Sequence, residues 1–108
     1  MNKHKDFLEK LAACAAACEN CLDSCLDEDN LKMMVDCIRL DRDCAKICAL
    51  TASFVASNSP HAKHLAKECQ EICRLCGDEC GKMEADHCKE CAKACRECEE
   101  ACKKFLAA

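Results

Sequence analysis

Cysteine recurs along this chain in steps of three and four residues, and that spacing constrains the fold more than any other feature. Cys14, Cys18, Cys21 and Cys25 are separated by 4, 3 and 4, and Cys69, Cys73, Cys76 and Cys80 repeat the same steps. Cys88, Cys91, Cys95, Cys98 and Cys102 follow 3, 4, 3 and 4. Cys37, Cys44 and Cys48 share the register, with Asp41 in the slot between the first two. At ~100° per residue of α-helix, each set lies within roughly 40–80° of one face. Four such faces read as the seams of a helix bundle, with cysteine where leucine usually sits.

Breakers divide the chain to match. Asp27-Glu28-Asp29-Asn30 ends the first periodic segment and Ser57-Asn58-Ser59-Pro60 the second, with Pro60 suited to the first turn of the next helix. Gly77 and Gly81 are expected to loosen and then end the third. The helices predicted are 4–28, 31–57, 60–80 and 84–106. Trp and Tyr are absent and Gly and Pro are scarce, a composition poor in turns and β formers. Connections this short imply antiparallel neighbours. The expectation is an all-α, antiparallel up-down-up-down four-helix bundle with a cysteine-lined core, a single domain over residues 1–108. Once Cys and Ala are set aside, the larger apolar side chains suffice to close the ends and one flank, not to fill the core.

The net charge is −4 with both signs interspersed. No basic stripe is present, which argues against a nucleic-acid partner. No apolar run approaches ~18 residues, so no transmembrane helix is predicted. Leu11-Ala12-Ala13-Cys14 has the look of a lipoprotein cleavage box. However, Asp6, Glu9 and Lys10 interrupt the stretch where an apolar run of ~7–15 residues would have to lie. The expected compartment is the cytosol. In that reducing setting sixteen cysteines are thiols or metal ligands rather than disulfides.

One or two buried cysteines would be small hydrophobes and nothing more; sixteen on matched seams call for a chemistry. Side chains at i and i+4 of one helix run parallel, which suits disulfide geometry poorly, although bridges between helices stay open. Zinc sites use four ligands on knuckles and loops, whereas the CxxC pairs here sit inside continuous ladders. Four Zn²⁺ among sixteen thiolates would also leave eight negative charges in a narrow core, which is costly. Iron–sulfur runs lie in loops and often end in Cys-Pro. Thioredoxin-like catalysis expects a βαβ setting, and a di-iron bundle needs two Glu-x-x-His helices. None of these fits, and no enzymatic activity is expected. Sixteen Cu⁺ among sixteen thiolates are neutral, and Cu(I) prefers soft, shared thiolates. The reading is storage of many Cu(I) ions, about one per Cys; metallothionein-like sequestration of several soft metals remains as the alternative.

The two ends of the seams differ. Toward the chain termini the slots hold Phe7, Leu11, Thr51, Val55, Leu65 and Phe105, a plug. Toward the other end they hold Glu28, Met33, Met34, Met83 and His87 beside Cys88. Thioether and imidazole bind Cu(I), so metal is predicted to enter there and pass to Cys25, Cys37, Cys80 and Cys88. His4, His61 and His64 read as surface residues. A second stripe on helix 2, Leu40, Ile47 and Phe54, packs on a neighbouring helix or, with Ile38 and Leu50, reaches an oligomer interface; the sequence leaves both open.

Two local stretches add a resemblance. They are Cys37-Ile38-Arg39-Leu40-Asp41-Arg42-Asp43-Cys44-Ala45-Lys46-Ile47-Cys48-Ala49-Leu50 and Cys76-Gly77-Asp78-Glu79-Cys80-Gly81-Lys82, the latter followed by Asp86-His87-Cys88. With the ladders, they resemble the copper storage proteins, especially the cytosolic bacterial group, over nearly the whole chain. The resemblance implies a four-helix bundle, Cu(I) held inside by Cys, storage rather than turnover, and a homotetramer. By position it makes the Cys ladders the store and His87 with its neighbours the mouth. Cytosolic members tend to carry His near the start of helix 2, where this chain has Met33 and Met34, so its entrance chemistry differs.

Overall fold

The computed structural model describes residues 3–108. Four helices, α1 (Lys5–Cys25), α2 (Leu31–Ala56), α3 (Ala62–Cys80) and α4 (Asp86–Ala107), account for nearly all of it, and no strand occurs among the described residues. Each helix packs its backbone against two neighbours, in the cyclic order α1, α2, α3, α4, and only side chains meet across the diagonals, as Cys48 does Cys98 and Asp41 does Cys91. The connections are short, so neighbours run antiparallel, as expected. The bundle measures 45 × 19 × 19 Å. Its long axis is set by α2, whose 26 residues span about 39 Å at the α-helical rise.

The ends of the helices follow from local chemistry. At the end of α2, Asn58 adopts a left-handed φ of 54°, a conformation Asn tolerates. Its N–H bonds Val55 O at 3.1 Å, and the Ser59 N–H bonds Phe54 O at 3.0 Å. This paired arrangement satisfies carbonyls that the last helical turn would leave free. Pro60 then lies in the turn, and α3 starts at Ala62 rather than at residue 60. Helix α1 stops at Cys25, three residues short of the expected end, and α4 begins at Asp86 after an extended Ala85.

Gly77 departs from expectation. It neither loosens nor ends α3 but lies buried within it. A Cβ here would sit 3.1 Å from Arg96 Nη1 and 3.4 Å from Cys95 Cβ. Glycine therefore lets α4 approach closely and lets Arg96 cross to Arg74 O and Asp78. Gly81 caps the helix with an ordinary right-handed φ of −64°.

The core is two materials in series. At the terminal end Phe7, Leu11, Val55, Ala62 and Ala66 are buried, and Phe7 packs on Phe105 with ring centroids 4.9 Å apart. His4 meets the same Phe105 ring edge-on at 5.1 Å, so it belongs partly to this plug. Leu65 does not fill the α3 slot. It is half-buried, and the small Ala62 and Ala66 take the position beside the bulky Phe7, Leu11 and Val55. Thr51 is fully buried there, with its hydroxyl donating to Leu65 O at 3.4 Å. Beyond the plug the interior is sulfur. The stripe Leu40, Ile47 and Phe54 is half-buried and packs against this core from within the bundle.

Candidate metal centre

Helical spacing alone brings the sixteen thiols together. Every cysteine has zero exposure, and all are free. Within a helix, i and i+4 sulfurs stand 3.8 Å apart for Cys21 and Cys25, 3.9 Å for Cys69 and Cys73, and 4.0 Å for Cys44 and Cys48. Across helices Cys14 lies 3.8 Å from both Cys44 and Cys95, and Cys48 lies 3.8 Å from Cys69 and 3.9 Å from Cys98. Cys91 reaches Cys18 at 3.7 Å, and Cys44 reaches Cys73 at 3.7 Å. Cys37 meets Cys80 at 2.8 Å and Cys21 at 3.9 Å. Cys102 interacts with Cys69 and Cys98 beside the plug.

The ligand atoms form overlapping groups of four, each within 4.8 Å of one another. Cys21, Cys25, His87 and Cys88 make the outermost. Below them come Cys18, Cys76, Cys91 and Cys95, then Cys14, Cys18, Cys44 and Cys95. Cys14, Cys44, Cys48 and Cys73 follow, and then Cys48, Cys69, Cys73 and Cys98. The four inner groups share sulfurs in succession. Cys37, 3.9 Å from Cys21 and 2.8 Å from Cys80, with Cys80 4.0 Å from Cys76, links the outermost group to them, so the donors form one column rather than separate cages. Such a column suits a soft monovalent ion that takes two thiolates while each thiolate bridges two ions.

Asp41 interrupts the sulfur. It is fully buried, and its Oδ1 accepts from Cys91 at 3.2 Å, Cys76 at 3.3 Å and Cys80 at 3.5 Å, while Oδ2 accepts from Cys37 at 3.7 Å. Burial, with Cys91 alongside, pushes its carboxyl up to about 8. At neutral pH the Asp41 carboxyl is therefore largely protonated. At the outer end of the column burial pushes Cys25 up and Cys88 up to about 11. Deeper in, hydrogen bonding between neighbours divides the thiols. Cys44 is held below the ordinary thiol range, chiefly by Cys14, while Cys18 is pushed up, chiefly by its bond to Cys14. A first thiolate is thus stabilised by the S–H groups around it.

At the open end the sequence-predicted residues separate by depth. His87 is 18% exposed, with Nδ1 3.5 Å from the sulfurs of both Cys21 and Cys88. Met34 is 4% exposed. A groove of about 380 Å³ is lined by Glu28, Asn30, Met33, Met34 and Met83, with Lys82, Glu84 and Ala85 completing its rim. Met33 stands 65% exposed on that rim, its thioether taking a hydrogen bond from Asn30 Nδ2 at 3.6 Å. His61 and His64 are exposed at the opposite end, as expected. Sequence reasoning placed Asp41 in a seam slot but gave it no role; its position between two cysteines of one ladder was the available signal.

Comparison with known proteins decides the family. The sequence profile described as Csp, copper storage protein, matches residues 1–107. This chain belongs to the copper storage protein family. Among solved members, the Cu(I)-bound copper storage protein BsCsp3 is 43% identical, with coverage of 96% of this chain and 97% of that one and a TM-score of 0.91. The metal-free copper storage protein 3 from Bacillus subtilis is 42% identical over 94% and 97% of the two chains, at a TM-score of 0.90. A cytosolic copper storage protein from Streptomyces lividans, solved with five coppers, is 36% identical over 97% and 92%, at 0.92. The four-helix architecture is thus that of the copper storage family.

Proposed function

We propose that this chain stores Cu(I) along the thiol column, at about one ion per cysteine. One observation carries the reading. All sixteen cysteines are free and fully buried, and most of their sulfurs fall in groups of close neighbours. Sixteen Cu⁺ and sixteen thiolates cancel, so the loaded core carries no net charge into a low-dielectric interior. Membership of the copper storage family and a Cu(I)-bound relative of the same architecture support it.

The ligands are Cys14, Cys18, Cys21, Cys25, Cys37, Cys44, Cys48, Cys69, Cys73, Cys76, Cys80, Cys88, Cys91, Cys95, Cys98 and Cys102. His87, Met34 and Met83 receive the ion at the mouth, with Met33 as the outermost contact. Each ion displaces thiol protons, since the thiolate is the ligand. The phenylalanine and leucine plug blocks the other end. The role is storage without turnover, because catalysis by thiols needs an accessible, activated one. The cytosol is the compartment, supported by the free thiols and by the S. lividans relative. Among the described residues no helix is long and apolar enough to cross a membrane. Assembly as a homotetramer is what the family resemblance implies.

Competition tests the metal. Anaerobic, reduced protein is titrated with Cu(I) against a chelator and then challenged with excess Zn²⁺ or Cd²⁺, with circular dichroism throughout. A helical metal-free form and retention of copper are expected. Comparable retention of Zn²⁺ or Cd²⁺ would instead mark a metallothionein-like sequestrant.

A further inference from the structure

At the mouth, His87 touches something besides sulfur. Its Nε2 lies 3.0 Å from Glu28 Oε1, with the two side chains 18% and 32% exposed. Glu28 sits just past the end of α1, where its N–H bonds Cys25 O at 3.2 Å and carries the backbone through one more turn. That turn places the carboxylate beside the second residue of α4. A carboxylate only accepts hydrogen bonds, so the nitrogen facing it carries the proton. In neutral imidazole the other nitrogen then keeps its lone pair. That nitrogen, Nδ1, is the one 3.5 Å from Cys21 and Cys88 and grouped with Cys25.

We propose that Glu28 is a positioning residue for copper uptake: it fixes His87 with Nε2–H turned outward and Nδ1 aimed at the outermost thiols. This rests on the storage reading given above. Without Glu28 the ring is free to rotate and to exchange tautomers, and in the wrong one Nδ1–H faces the incoming cation. Hydrogen-bond partners behind a metal-binding histidine are typically worth 10–100-fold in metal affinity or activity. Glu28→Ala is therefore expected to slow the first phase of uptake by about tenfold or more.

The test uses the full chain, metal-free and reduced, with Glu28→Ala, Glu28→Gln, His87→Ala and the Glu28→Ala/His87→Ala pair. Nitrogen-15 spectra of labelled histidine read the tautomer directly. His87 should show protonated Nε2 and bare Nδ1 in the parent and in Glu28→Gln, whose amide oxygen still accepts, and should show tautomer exchange in Glu28→Ala. Stopped-flow transfer from a Cu(I)–chelator complex should be slow in Glu28→Ala and His87→Ala, no slower in the pair, and restored in Glu28→Gln. Glu28→Leu, which keeps bulk without an acceptor, should match Glu28→Ala and stands in for it if the smaller side chain disturbs the fold. Unchanged histidine spectra in Glu28→Ala would overturn the proposal. So would slowing in Glu28→Gln equal to that in Glu28→Ala, or rate losses that add in the pair, since either marks a general attraction of cations by negative charge. Total copper capacity, measured in parallel, separates the two claims: low capacity in the parent refutes storage, whereas full capacity with unaltered rates refutes only the role of Glu28.

Discussion

Among the described residues Asp41 is the one carboxylic acid buried inside the sulfur column, and its environment makes a specific demand on pH. Its carboxyl titrates near pH 4 in an unfolded chain but is pushed up to about 8 in the fold, chiefly by burial. Between those values the folded form holds a proton that the unfolded form has lost. The stabilisation is complete below pH 4 and is lost as pH rises through 8, at up to ~1.4 kcal/mol per pH unit for one proton. Asp41 should therefore contribute about 2–3 kcal/mol less to the stability of metal-free protein at pH 7 than at pH 5, and Asp41→Asn, compared with the parent, should remove that contribution. Denaturant unfolding in reducing buffer at the two pH values checks both. The methionines at the mouth make a paired prediction. Met33→Ala, on the exposed rim, should change stability by no more than about 0.5 kcal/mol. Met34→Ala, buried at 4% exposure, should cost about 2 kcal/mol or more. Thermal unfolding of the metal-free variants separates them.

At the scale of helices, the ladders were legible because cysteine marked each seam with a single residue type at helical spacing. Register, topology and the open and plugged ends followed from that. The boundaries were less legible. The seam of α1 points on toward Glu28, yet the helix ends at Cys25, since Asp27-Glu28-Asp29 offers no apolar face to hold another turn. Gly77 read as a breaker because sequence does not show that a facing Arg96 and Cys95 need the missing Cβ. Leu65 read as core because bulk, not volume balance across the layer, is what a pattern reveals; Ala62 and Ala66 fit beside Phe7, Leu11 and Val55. The pairing of Glu28 with His87 spans two separate elements, and no local pattern encodes it. Leu11 is fully buried in the plug, one turn before Cys14 on α1, and offers no ligand atom. Leu11→Ala should cost about 2–5 kcal/mol of metal-free stability while leaving copper capacity intact, as read by thermal unfolding and by a copper endpoint titration.

For the molecule as a whole, the proposed function has the same sixteen side chains serve two states. Without metal, the thiols pack as small hydrophobes and keep the bundle folded; under the proposed function the same atoms become ligands once metal is bound. Copper that binds the folded form and not the unfolded one must raise stability with loading. The proposed one-for-one neutralisation of thiolate by a monovalent ion would join the two states, and it has a direct readout. Cu(I) is added anaerobically to reduced, weakly buffered protein while bound copper and released protons are counted together. An endpoint near sixteen ions per chain, with about one proton released per ion, is the expected result. Saturation at one or two ions, or binding without matching proton release, would contradict it.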